Sequence, residues 1–116
     1  MLTMRQGQVD AFSREIRKAF GKRQVVRLRT VFPKETRQLD DDSLLQRIEK
    51  TVERAEHYDV VNEQDLELFL DCTFMMAPDF DASSNSAWAG QILNRPVLTG
   101  TEKMSLIHDR MLFSGY

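Results

Sequence analysis

The chain has 116 residues, of which 29% are charged and 41% apolar, with a formal net charge of −2. That length fits one domain with one modest core, so a single helical domain over 1–116 is expected. No apolar run approaches the roughly 18 residues of a membrane span. The start, Met1-Leu2-Thr3-Met4-Arg5, lacks the long apolar stretch of a secretory signal, which points to a cytoplasmic protein. A single cysteine excludes an internal disulfide framework and a cysteine-built zinc site.

The first helical pattern runs from about Arg5 to Val31. Val9, Phe12, Ile16 and Phe20 share one face, being three, four and four apart. Beyond Gly21 the phase shifts to Val25, Leu28, Val31 and Phe32, so the helix either bends there or packs its halves on different neighbours. Phe32-Pro33 ends it, because proline disfavours α geometry in the residue before it. Within this stretch, Val25–Arg29 is the one weak strand candidate.

Ser43-Leu44-Leu45-Gln46 reads as a capping box, with Asp40, Asp41 and Asp42 suited to a helix start. Leu44, Leu45, Ile48, Val52 and Ala55 form the stripe of the helix that follows, over about 43–58. Asn62 is a good N-cap for the next helix. That helix is apolar almost all round, through Leu66, Leu68, Phe69, Leu70, Cys72, Phe74, Met75 and Met76. It is expected to be a buried central element over about 62–77, closed by Pro78. A short helix follows over Ser86–Leu93. Thr101 is expected to cap a last one, which carries Met104, Ile107 and Met111 on one face. The fold class is therefore all-α, a compact bundle of about five to six helices around the 62–77 helix.

Charge is unevenly spread. Arg5 to Arg37 holds ten Lys/Arg against three acids, or +7, and the remainder sums to −9. Lys22, Arg23, Arg27 and Arg29 are the densest basic group. Interleaved Val25, Val26 and Leu28 require one side of that segment to be buried, so an ion-pairing face toward an acidic protein is the better reading than a DNA-reading helix. The acidic surplus after residue 38 argues against a phosphate backbone as partner.

No motif carries catalysis or a cofactor: a phosphate-cradling loop, a nucleophile elbow and a His-Glu-x-x-His are all lacking, so no enzyme is expected. Asp79, Asp81, Ser83 and Asn85 begin a calcium-loop pattern. It fails at Ser84, where glycine is needed, and at Gly90, where the bidentate acid is needed. His57 and His108 have no spaced ligand partner, so no metal site is expected. Cys72, inside an apolar helix, reads as a buried structural thiol. Met75, Met76, Phe80, Trp88, Met104 and Met111 are a large soft apolar stock, most of it core and some of it suited to a partner groove.

Arg23-Gln24-Val25-Val26-Arg27-Leu28-Arg29-Thr30-Val31-Phe32-Pro33 resembles a signature of small bacterial helical proteins. So do Ala77-Pro78-Asp79-Phe80-Asp81 and Trp88-Ala89-Gly90-Gln91-Ile92-Leu93. These proteins are often encoded among type VI secretion genes, beside toxic effectors and effector-loading chaperones. The resemblance covers about residues 9–112. It departs at Asp59, where glycine is expected after Tyr58, and at Ser83-Ser84, where a proline is expected after Phe80-Asp81. It implies a non-enzymatic co-chaperone or adaptor that binds an effector-loading chaperone, a secreted effector, or both. Arg23, Arg27 and Arg29 are the expected orienting charges, and a patch at Phe80 and Trp88 the expected apolar anchor. An immunity protein that neutralises a toxin is the first alternative and a nucleic-acid binder the second. Oligomeric state is not legible.

Overall fold

The computed structural model describes the backbone of residues 6–114 and the side chains of residues 14–113. Among these the chain is all-α, with six α-helices, one 3-10 turn and no strand. The helices are α1 (Gln6–Val31), α2 (Pro33–Thr36), α3 (Asp41–His57), α4 (Glu63–Met75), α5 (Ala87–Leu93) and α6 (Gly100–Ser114), with the turn at Ser84–Ser86. Two compact units divide the chain, residues 1–49 and 50–116, and the boundary falls inside α3. No helix among the described residues is long and apolar enough to cross a membrane.

In the first unit, α1 continues through Gly21, and the Val25–Arg29 segment is helical. Among its described side chains, the buried positions are Phe20, Gln24 and Leu28, spaced four apart on one face, with Gly21 beside them. The expected second face is corrected: Val31 is exposed, Val25 and Phe32 are half-buried, and Gln24 takes a core position. Ile16 is exposed, and Val9 and Phe12 lie outside the described side chains. Pro33 does more than end α1. It occupies the first turn of α2, where its missing N–H costs nothing and its fixed φ suits a helix.

Arg29 closes the path from α1 through α2 to α3. Its guanidinium donates to the Thr36 carbonyl (2.9 Å), the Leu39 carbonyl (2.8 Å) and Asp41 Oδ1 (2.7 Å). These carbonyls belong to the end of α2 and the connection after it, which have no helical partner of their own. The start of α3 also differs from the expected capping box. Asp40 is the cap, its Oδ1 accepting the Ser43 N–H at 2.7 Å. That bond, and then one from the Ser43 hydroxyl, hold the Asp40 carboxyl below its usual pKa.

The second unit contains the end of α3 and all that follows. Asn62 caps α4, accepting the Asp65 N–H at 2.9 Å. Helix α4 buries Leu66, Phe69, Leu70 and Cys72 together with the polar Asp65 and Thr73. Helix α6 packs on both α4 and α5. Its cap is Thr99, two residues before the expected Thr101. The Thr99 hydroxyl accepts the Glu102 N–H (3.1 Å) and the Glu102 carboxylate accepts the Thr99 N–H (2.8 Å), a reciprocal capping box. Thr101 instead donates to Asp65 Oδ2 at 2.6 Å, tying the start of α6 to α4.

Helix α3 ends in a Schellman turn: Val60 N–H bonds the Ala55 carbonyl and Asp59 N–H bonds the Glu56 carbonyl, both at 3.0 Å. Asp59 sits in the left-handed region that this turn demands, at φ 65°. That geometry favours glycine, which is the residue expected there from the resemblance. Gly100 lies against the same turn, where a Cβ would collide with the Asp59 carbonyl oxygen.

Two substitutions should therefore move stability in opposite directions. Asp59→Gly relieves the left-handed strain and is expected to add about 1 kcal/mol. Gly90→Ala would place a Cβ 2.9 Å from the Asp81 carbonyl oxygen, and overpacking of this kind is expected to cost about 1–3 kcal/mol. Urea denaturation followed by circular dichroism measures both.

Candidate partner-binding surface

Residues 78–83 connect α4 to the 3-10 turn before α5, and one buried carboxylate organises this loop. Asp81 is 7% exposed. Arg54, from α3, reaches it with a forked guanidinium, Nη2 to Oδ1 at 2.9 Å and Nε to Oδ2 at 3.3 Å. The same Nη2 donates to the Pro78 carbonyl at 2.6 Å. Tyr58 donates its hydroxyl to Asp81 Oδ2 at 3.0 Å. Burial, and then this bond to a carboxylate, push the Tyr58 phenol above its usual pKa.

Pinning the loop drives Phe80 inward. It is 0% exposed and meets Phe69 edge-on, with ring centroids 4.9 Å apart at 62°. The Phe80 carbonyl accepts the buried Ser86 hydroxyl at 2.7 Å. Ser83 caps the following 3-10 turn, accepting the Asn85 N–H. Two residues of the incomplete calcium pattern, Asp81 and Ser83, are thus engaged in an ion pair and a turn cap.

Phe80, expected to be part of an apolar anchor, is corrected by its burial: it presents no surface to a partner. Trp88 is half-buried, and the Arg110 guanidinium stacks on its ring, 4.6 Å from the centroid. Arg29, expected as an orienting charge, is committed to the α1–α3 clasp described above. Arg23 is exposed, and Arg27 is half-buried with Nε on Gln24 Oε1 at 2.5 Å. These arginines belong to the first unit and the two aromatics to the second.

An apolar cavity of about 180 Å³ opens between α4 and α6. Leu68, Cys72, Met75, Met104, Met111 and Leu112 form its apolar lining, with Asp71 and His108 as the polar members. Met75 and Leu112 stand at 38% and 65% exposure, and Met104 and Met111 form the buried floor. Met75 and Trp88 also line a second hollow of about 360 Å³, with Met76, Ala77, Ser83, Asn85 and Ser86. The soft apolar stock read from the sequence is therefore divided, with Met104 in the core and Met75 at a rim. Leu68 and Leu112 escaped that reading. Leu112 is one residue out of phase with the Met104, Ile107, Met111 stripe, and that offset was its only signal.

Cys72 Sγ lies 3.6 Å from Met111 Sδ. Burial, and secondarily the Asp71 charge, push its thiol up to about 12. The thiol is the unreactive form of cysteine, so Cys72 is unsuited to nucleophilic work at neutral pH.

Scans against family models, curated proteins and solved structures find no match to this chain.

The Cys72 environment makes two outcomes measurable. Iodoacetamide at pH 8 should alkylate the folded protein at least tenfold more slowly than the urea-unfolded chain. A raised thiol pKa also stabilises the folded state below the unfolded thiol range, about 8.5. That contribution is lost as pH rises through it toward 12. The melting temperature should therefore fall between pH 8 and 11, and fall less steeply in Cys72→Ala.

Proposed function

We propose that the chain is a non-enzymatic, protein-binding accessory of the bacterial cytoplasm. It acts as a co-chaperone or adaptor that engages an effector-loading chaperone, a type VI secretion effector, or both. The observation that carries this reading is the cavity between α4 and α6, with Met75 and Leu112 exposed at its mouth. Methionine side chains adapt to irregular partners, and binding energy concentrates where a partner side chain fills a pocket and is fully desolvated there. The left-handed backbone at Asp59, where the resemblance leads one to expect glycine, supports the family likeness.

In this reading the two units contribute differently. Arg23 and Arg27 supply positive charge that speeds and selects encounter with an acidic region of the partner, apart from the segment that meets the cavity. The cavity and the half-buried Trp88 supply affinity. Phe80 and Arg29 act indirectly, by holding the elements that carry these surfaces.

The test is affinity purification of the tagged protein from its native cells, with mass spectrometry. Recovery of a secretion chaperone with an effector is the expected result, and Arg27→Glu should reduce it at low salt. Recovery of a toxin alone would replace the proposal with an immunity role. Recovery of nucleic acid would overturn both.

A further inference from the structure

The chemistry of the α4–α6 cavity restricts what fills it, if the protein-binding reading above holds. Its volume, about 180 Å³, is comparable to the ~150 Å³ apolar cavities that accept a benzene-sized group. It therefore takes one large apolar side chain, not a whole helix. The wall is thioether, thiol and aliphatic carbon, and a carboxylate, Asp71, stands among the lining residues. The Asp71 charge reaches the cavity, since it helps raise the Cys72 thiol. The surrounding unit is strongly acidic as well. Residues 50–116 hold eleven Asp/Glu and five Lys/Arg. Arg54, Lys103 and Arg110 are engaged within the unit, on Asp81, the Tyr58 carbonyl and the Trp88 ring.

We infer that the cavity is a docking site for a cationic amphipathic helix of a partner protein, which inserts one large apolar side chain between α4 and α6 and sets a Lys or Arg near Asp71. The two partner residues lie three or four apart, the spacing that puts side chains on one helix face about 6 Å from each other. The exposed Met75 and Leu112 close over the inserted side chain. The cavity floor needs no rearrangement, because Met104 and Met111 already form it.

The experiment uses the full chain with ¹³C-methyl methionine and two synthetic 18-residue amphipathic helices, one of Leu and Lys, one of Leu and Glu. The Leu/Lys peptide should shift the methyl signals of Met75, Met104 and Met111 saturably, with a Kd at least tenfold tighter than that of the Leu/Glu peptide. Raising salt should weaken it. Met75→Glu and Leu112→Glu change exposed side chains and so keep the fold, checked by circular dichroism; each should weaken binding at least tenfold. Equal shifts with both peptides, no shift with either, or undiminished binding by both variants would overturn the inference. So would the same methyl shifts appearing on concentrating the protein alone, which would make a second copy the occupant.

The functional reading fails separately. If Met75→Glu still recovers the secretion chaperone as wild type does, the docking site falls and the accessory role stands. If the Leu/Lys peptide binds as described but no secretion protein is recovered from cells, the docking site stands and the role falls.

Discussion

A carboxylate removed from water must be met by a cation and by hydrogen-bond donors, or its burial is too costly to persist. Asp81 is that group in the second unit. Arg54 and Tyr58 meet both of its oxygens, and Arg54 also takes the Pro78 carbonyl. This arrangement fixes the start and end of the loop between α4 and the 3-10 turn. Phe80, between the two fixed points, has only the core to enter. Gly90 then lets α5 approach the Asp81 backbone closely. The placement of Trp88, two residues earlier on α5, follows from the same approach.

The first unit applies the same logic with exposed rather than buried charge. Arg29 gathers the Thr36 and Leu39 carbonyls and Asp41 around one guanidinium, which ties α1 to the connection between α2 and α3. Planar guanidinium geometry is the reason arginine serves at both places; a lysine ammonium has no matching fork. Several residues that looked like recognition elements are therefore the means by which each unit holds its shape. The Met-lined cavity and the half-covered Trp88 ring remain accessible.

Helices were the most legible feature of the sequence, because three-and-four spacing of large apolar residues needs no tertiary information. Asn62 and the Leu44–Ala55 stripe show this well. Caps were less legible. Asp40 and Ser43 both suit a helix start, as do Thr99 and Thr101, and only backbone geometry decides which oxygen meets which N–H. The second half of α1 misled for a different reason. Its buried face runs through Gln24, a polar residue, so apolar periodicity alone rotated the face toward Val31. Phe80 and Arg29 were expected to meet a partner because residue type does not reveal direction. Neither the Arg54–Asp81 pair, 27 positions apart, nor the Arg29 contacts with carbonyl oxygens leave a trace in local spacing.

The account depends most on Arg54 and Asp81 acting as a unit, and a double-mutant cycle tests that most directly. Stability would be measured by urea denaturation for wild type, Arg54→Ala, Asp81→Ala and the double variant. A coupling energy of about 2 kcal/mol or more is predicted, since either single change strands a charge that the other had satisfied. Additive losses, with coupling within about 0.5 kcal/mol of zero, would contradict the central role assigned to this pair.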